Sequence, residues 1–355
     1  MKTVKIAFFD TKSHEKAFFV KSAAQIEDEA AADGADIETL EGSVHFEFDF
    51  FLDHLNEGTV EMCAGHDAAC IFANDQITPS IAKKLSELGV KVLALRSVGY
   101  NNVDLKACEE AGLKVVHVDE YSAHTTAEFA IALLQTLNRR IHAAYNRTRD
   151  GDFRTDNFVG TEIYQKTVGI IGAGKIGKAA AEIFRGYGAR VLLNAAHQNP
   201  EFGQKTGAEY VNLTEIFKNS DFIMLFCPLV NETRNIINEN CISLMKKDAV
   251  IVNTGRTALI DSKALLDALN SGRIRGVAFD IYEEDRQNLY GDDWSAKFIQ
   301  NEDFEQLLKL PNALLTYHQA YLTEENLSVV ARTTLDNIRE ILSDDGQCKN
   351  LIHAS

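Results

Sequence analysis

Thr167-Val168-Gly169-Ile170-Ile171-Gly172-Ala173-Gly174-Lys175-Ile176-Gly177 is the stretch on which the fold turns. An apolar strand pattern runs into G-x-G-x-x-G, and a helical pattern follows over residues 178–187. Each glycine has a physical task. Gly172 permits a tight turn, Gly174 lets the backbone approach a pyrophosphate, and Gly177 lets helix and strand pack closely. The unpaired N–H groups that open the helix would face the phosphates. A second strand pattern at 190–193 completes the unit, so a dinucleotide site is expected on the turn, with Lys175 and Ile176 inside it.

Outward from that turn, short β-branched or aromatic runs alternate with amphipathic stretches, the signature of an α/β protein. On its C-terminal side strands are predicted at 209–211, 221–226, 249–252, 276–279 and 313–316. With 168–171 and 190–193 they make a complete doubly wound sheet. On its N-terminal side runs at 4–9, 68–72, 91–95 and 114–118 suggest a smaller parallel sheet. Helices are predicted there at 79–88 and 104–111, the second capped by Asp104. Residues 125–149 contain neither Pro nor Gly and predict one long helix crossing between two domains. The last helical pattern, 324–342, is too short to found a third domain and is expected to return to the first. Residues 283–303 are acidic and read as a surface insertion.

The 355 residues suit two domains. Apolar residues at 45%, charged residues at 25% and only four prolines exclude a disordered or low-complexity chain. Lys and Arg total 36 against 52 Asp and Glu, a net charge of −16 that would repel a phosphate backbone, so nucleic acid is not expected as a partner. The six cysteines form no C-x-x-C pair and read as reduced thiols of a cytoplasmic protein. The N-terminal apolar run is too short for a signal segment. No stretch approaches the roughly 20 apolar residues of a membrane span.

Polar groups follow the ends of three later strand patterns, where open α/β sheets bind ligands. Arg256 closes Val252-Asn253-Thr254-Gly255-Arg256, and its planar fork suits a carboxylate. Glu283-Glu284-Asp285 follows the strand at 276–279. His318 follows Tyr317 and could deliver a proton to a carbonyl oxygen. Singly, Arg256 reads as a turn arginine and His318 as one of ten ordinary histidines; their convergence on one sheet edge lifts both. The strand at 190–193 ends in Asn194-Ala195-Ala196 rather than in the carboxylate that would hold the ribose of NAD. NAD is the default cofactor, and NADP use stays open.

Through Gly172-x-Gly174-x-x-Gly177, Val252 to Arg256, Phe279-Asp280-Ile281-Tyr282-Glu283-Glu284-Asp285 and His318-Gln319-Ala320-Tyr321, the chain resembles the D-2-hydroxyacid dehydrogenase family over nearly its whole length. The acidic insertion with Trp294 and the following Leu310-Pro311-Asn312 are similar to its D-lactate dehydrogenase branch. The resemblance implies two doubly wound Rossmann-like domains with the active site in the cleft between them. Residues 1–121 and 322–355 would form a discontinuous, flavodoxin-like substrate domain, and 122–321 the dinucleotide-binding domain.

Carried over residue by residue, Arg256 anchors the substrate and His318 is the acid–base group. The family's third catalytic residue, a Glu, falls on Asp285, one methylene shorter, with Glu284 as the alternative. Val98 and Gly99 would hold the substrate carboxylate by backbone N–H groups, and Tyr100, Tyr121 and Tyr321 would line the pocket. Cys227, Pro228 and Thr254 would face the dinucleotide, and Asp280 the nicotinamide carboxamide. The family's usual Asp is Ala195 here. The expected activity is NADH-dependent reduction of a 2-oxo acid, pyruvate to D-lactate first. Glyoxylate, hydroxypyruvate, 2-oxoisocaproate and phenylpyruvate are alternatives, as is a dinucleotide-sensing binding protein. No metal is called for, and a homodimer is expected.

Overall fold

The computed structural model describes residues 2–32, 44–72, 75–119, 122–280, 302–343 and 346–354. The chain divides into two compact units, Met1–Ser122 with Leu322–Ser355, and Ala123–Tyr321.

The second unit is built on strands whose composition explains their burial on both faces. Val168, Ile170, Phe222, Met224, Val250, Val252 and Ala278 pack on one face of the sheet, and Ile171, Ile223, Leu225, Ile251, Val277 and Phe279 on the other. Both faces are covered, so the strands read as continuous apolar runs rather than alternating ones. In chain order its strands are β6 (Thr167–Ile171), β7 (Arg190–Asn194), β8 (Glu209–Tyr210), β9 (Phe222–Leu225), β10 (Val250–Asn253), β11 (Gly276–Phe279) and β12 (Ala313–Leu315). Among the described residues they form one parallel sheet in the order β12-β11-β10-β9-β6-β7-β8. The chain reverses direction across the sheet between β6 and β9, the switch point at which such sheets take ligands.

In the first unit the strands are β1 (Lys2–Phe8), β2 (Val44–Phe50), β3 (Ala68–Ile71), β4 (Val92–Leu95), β5 (Lys114–His117) and the short β13 (Leu351–Ile352). Their order, β13-β5-β4-β3-β1-β2, is flavodoxin-like, with β13 antiparallel to β5. Helices Ser13–Ala32 and Glu324–Leu342 cover one face, where Phe19, Ile26, Val330, Leu335 and Ile338 meet Val4, Ile6 and Phe8. Helices Pro79–Glu87 and Leu105–Glu110 cover the other, through Ile81, Leu85 and Cys108. Thr78 and Asp104 cap these two, the Asp104 carboxylate accepting from the Ala107 N–H at 2.9 Å.

The single helix predicted over 125–149 is two: Ala123–Asn138 and Ile141–Arg149. Arg140 sits between them at φ +50°, in the left-handed region. Two interactions invisible to periodicity hold the break. The buried Asn138 amide donates to the Thr161 carbonyl at 2.6 Å and accepts from the Thr161 N–H at 3.1 Å, and the Arg140 guanidinium donates to the Pro311 carbonyl at 3.0 Å.

Candidate active site

In the second unit every candidate follows the carboxyl end of a strand. The glycine turn follows β6, Ala195 follows β7, Cys227 and Pro228 follow β9, Arg256 follows β10, Asp280 follows β11 and His318 follows β12. Because β10, β11 and β12 are neighbours, Arg256, Asp280 and His318 leave three adjacent strands on one side of the switch point. At about 4.8 Å per strand step, the ends of β10 and β12 from which Arg256 and His318 emerge lie roughly 10 Å apart.

The turn after β6 has the geometry that a pyrophosphate needs. Gly172 lies at φ +100°, and a Cβ there would come within 2.3 Å of the Cys227 nitrogen. At Gly177 a Cβ would meet the Gly172 carbonyl oxygen at 2.1 Å, so helix Lys175–Gly186 can approach β6 only as glycine allows. A Cβ on Gly174 would meet nothing within 4 Å, and no side chain caps the helix there. Open space in front of uncapped N–H groups is what a phosphate would fill. Thr254 is buried, and its Oγ1 makes no hydrogen bond among the described residues, leaving a polar atom for a ligand. Burial pushes the Cys227 thiol up to about 11 and keeps it neutral behind the turn. Pro228 is exposed, its carbonyl accepting from the Thr233 hydroxyl at 2.6 Å. These residues fit a dinucleotide.

Arg256 is presented by an Asx turn. The Asn253 side chain, buried at the end of β10, accepts from the Gly255 N–H at 2.9 Å and donates to the Arg256 carbonyl at 2.9 Å. Arg256 itself is half-buried.

His318 is half-buried at φ +48°, a conformation that persists only where its surroundings over-determine it. Asp280 does this. Its Oδ1 accepts from the Thr316 hydroxyl at 2.7 Å and the Gln319 N–H at 3.0 Å, and its Oδ2 from the Ala320 N–H at 2.8 Å. The His318 N–H donates to the Asp280 carbonyl at 2.6 Å. Burial pushes the Asp280 carboxyl up, and the bonds from Gln319, Thr316 and Ala320 pull it back. The carboxylate assigned to the nicotinamide carboxamide is thus also the clamp of the histidine turn. Sequence reasoning missed this task of Asp280 and that of Asn253. The Asn-Thr-Gly turn signal marks the second, whereas nothing local marks the first.

In the first unit, Arg96 closes β4 and is fully buried, donating to both Glu15 carboxylate oxygens at 3.3 and 3.4 Å and to the Phe9 and Asp10 carbonyls at 3.0 and 3.1 Å. Burial works against its charge, but Glu15, Cys70, Asp75 and Asp10 outweigh it and hold the guanidinium protonated. Beyond it Ser97, Val98, Gly99 and Tyr100 form the loop assigned to the substrate carboxylate, with Val98 and Tyr100 each 37% exposed. The N–H groups of Val98 and Gly99 donate to no protein group among the described residues. Tyr321 is half-buried in the second unit. Tyr121, Glu283, Glu284 and Asp285 lie outside the described residues. So does most of the acidic stretch.

Among the described residues no group of His, Cys, Asp and Glu could hold a metal ion, and no helix is long and apolar enough to cross a membrane.

Residues 131–320 match the family described as D-isomer specific 2-hydroxyacid dehydrogenase, NAD binding domain. The D-lactate dehydrogenase of Escherichia coli (strain K12) is 40% identical over 338 residues, spanning 95% of this chain and 97% of that protein. The apo-structure of the E. coli D-lactate dehydrogenase superposes with a TM-score of 0.85 at 38% identity, covering 98% of this chain and 100% of that one. The NAD-complexed D-isomer specific 2-hydroxyacid dehydrogenase of Lactobacillus delbrueckii ssp. bulgaricus does so at 0.77 and 29% identity, covering 99% of this chain and 100% of that one. With a family match over more than half its length and a relative of this identity across nearly all of it, the chain belongs to the D-isomer specific 2-hydroxyacid dehydrogenases, in their D-lactate dehydrogenase-like branch, and is an NAD-dependent oxidoreductase.

Proposed function

We propose that the enzyme reduces a 2-oxo acid to the D-2-hydroxy acid, with pyruvate to D-lactate as its principal reaction. The observation that carries this is the edge formed by β10, β11 and β12, which presents a half-buried arginine after β10 and a clamped histidine after β12. Two groups of these kinds are what a carboxylate and an adjacent carbonyl require. NADH, when bound, supplies the hydride for the carbonyl carbon.

Arg256 takes the substrate carboxylate in a charge-assisted hydrogen bond and polarises the neighbouring carbonyl. The backbone N–H groups of Val98 and Gly99 are assigned to the substrate carboxylate, and Tyr100, Tyr121 and Tyr321 to the lining of the pocket. His318, protonated, delivers a proton to the carbonyl oxygen. Asp285 is the carboxylate assigned to support its charge, with Glu284 as the substitute. Gly172, Gly174, Lys175, Ile176, Gly177, Cys227, Pro228 and Thr254 hold the dinucleotide.

Pyruvate is favoured because the E. coli relative is named a D-lactate dehydrogenase. The test is loss of NADH absorbance over pyruvate, glyoxylate, hydroxypyruvate, 2-oxoisocaproate and phenylpyruvate, with the handedness of the product determined. Fast formation of D-lactate is expected. A preference for a bulky oxo acid would move the substrate assignment, and an L-product would overturn the stereochemical one.

The protein also pairs with a second copy of itself. Ile141, Tyr145, Phe153, Val159 and Tyr164 are 52%, 59%, 77%, 90% and 59% exposed, a run of large apolar side chains within one short stretch of the second unit. Exposed apolar surface of this extent is what an association face presents.

A further inference from the structure

We infer that His117 is a positioning residue for this reaction: its ring aims the backbone N–H groups that receive the substrate carboxylate. The inference rests on the proposed role of Val98 and Gly99 and adds the device that sets it.

The peptide bonds are all trans, so each N–H points away from the carbonyl of its own peptide unit. Three successive carbonyls of the loop are each engaged by a protein group. Ser97 O accepts from the Val118 N–H at 3.3 Å, Val98 O is bonded to His117 Nδ1 at 3.0 Å, and Gly99 O accepts from the Ser97 hydroxyl at 2.8 Å. The N–H groups of Val98, Gly99 and Tyr100 therefore each point away from one of these engaged carbonyls, and none of them donates to a protein group among the described residues. Of the three holds, the His117 ring is the one supplied by a side chain from outside the loop.

A carbonyl can only accept, so Nδ1 of His117 carries the proton. His117 is in turn held by its ring and by its main chain. The Tyr100 and His117 rings make a T-shaped contact, centroids 5.4 Å apart at 87°. The His117 main-chain carbonyl accepts from the Asn337 amide at 2.9 Å, and its N–H donates to the Asn350 carbonyl at 3.3 Å. The buried Asn337 also accepts from the Asn350 amide at 2.9 Å and the Cys348 thiol at 3.2 Å. A closed network of this kind, from helix Glu324–Leu342 and the segment before β13, fixes the backbone from which the ring projects.

The experiment compares the wild-type enzyme with His117→Phe, His117→Ala and His117→Asn in steady-state kinetics with NADH. Pyruvate and its amide, pyruvamide, are the two substrates. Phe keeps the ring contact with Tyr100 and loses the donor; Asn loses the ring and keeps an amide N–H where Nδ1 stands. Losing the donor should raise the KM for pyruvate about tenfold, the weight of one well-placed hydrogen bond. The KM for NADH should stay unchanged, and the preference for pyruvate over pyruvamide should fall by the same factor. Asn should restore most of both.

Unchanged KM and preference in His117→Phe would overturn the inference. So would His117→Asn being as impaired as His117→Ala, or the KM for NADH moving as far as that for pyruvate. A wild-type enzyme without preference for the acid over its amide would instead refute the carboxylate role of Val98 and Gly99.

Discussion

The carboxyl edges of the two sheets are built on related plans and put their charge to opposite uses. In the first unit, Arg96 follows β4 and is saturated by Glu15, Phe9 and Asp10, its guanidinium lying 4.2 Å over the Phe8 ring. Around it the buried Asp10 meets Lys12 and approaches His54, and the buried Asp75 accepts from the Leu55 and Phe72 N–H groups. In the second unit, Arg256 and His318 leave their strands half-buried, while the neighbouring Asn253 and Asp280 spend their hydrogen bonds on presenting them. An edge that satisfies its charges internally is a structural joint. An edge whose buried polar groups serve to orient half-buried ones is prepared for a ligand.

Four substitutions would break or sharpen this contrast. His318→Ala should lower kcat on the order of 10²–10⁴-fold, the weight of a general acid, with the dissociation constant of NADH, read by fluorescence, nearly unchanged. An unaltered kcat would show that the second edge is as structural as the first. Arg96→Met should cost about 3–5 kcal/mol of stability, because Glu15 would be left as a buried unpaired charge. A melting temperature close to the wild type's would mean that the first edge is not a joint. Arg256→Lys keeps the charge and loses the fork. It should raise the KM for the oxo acid at least about tenfold, and equal movement of both KM values would exclude an anchoring role. The smallest effect is expected at the far side of the switch point, where Ala195→Asp should raise the NADH-over-NADPH specificity ratio about tenfold through like-charge repulsion of a 2′-phosphate. An unmoved ratio would separate cofactor choice from position 195.

Both sheets were legible where strands are buried on two faces, because unbroken apolar runs such as Phe222–Leu225 have no competing reading as surface helix. β2 escaped notice although Phe46, Phe48 and Phe50 alternate with Glu47 and Asp49. It is an edge strand with one wet face, and strict alternation was its only mark. Helix Ser13–Ala32 was also missed, since its apolar residues are dispersed around it. The break at Arg140 was illegible because helix Ile141–Arg149 buries no side chain and its boundary is set by Thr161 and Pro311, residues remote in sequence. Arg256 and His318 could be named from their strand ends alone. Their supports could not, because the reach from Asp280 to Gln319 or from Glu15 to Arg96 appears only once the sheets are assembled.

The division of the chain also sets an order of events during synthesis. Ala123–Tyr321 is one uninterrupted stretch whose sheet can close as soon as it has left the ribosome, and domains made this way fold as units while translation proceeds. The first unit, although begun earlier, lacks one of the two helices that cover Val4, Ile6 and Phe8 until Glu324–Leu342 has been made. Its sheet must therefore wait with that apolar face covered by helix Ser13–Ala32 alone through the making of the entire second unit.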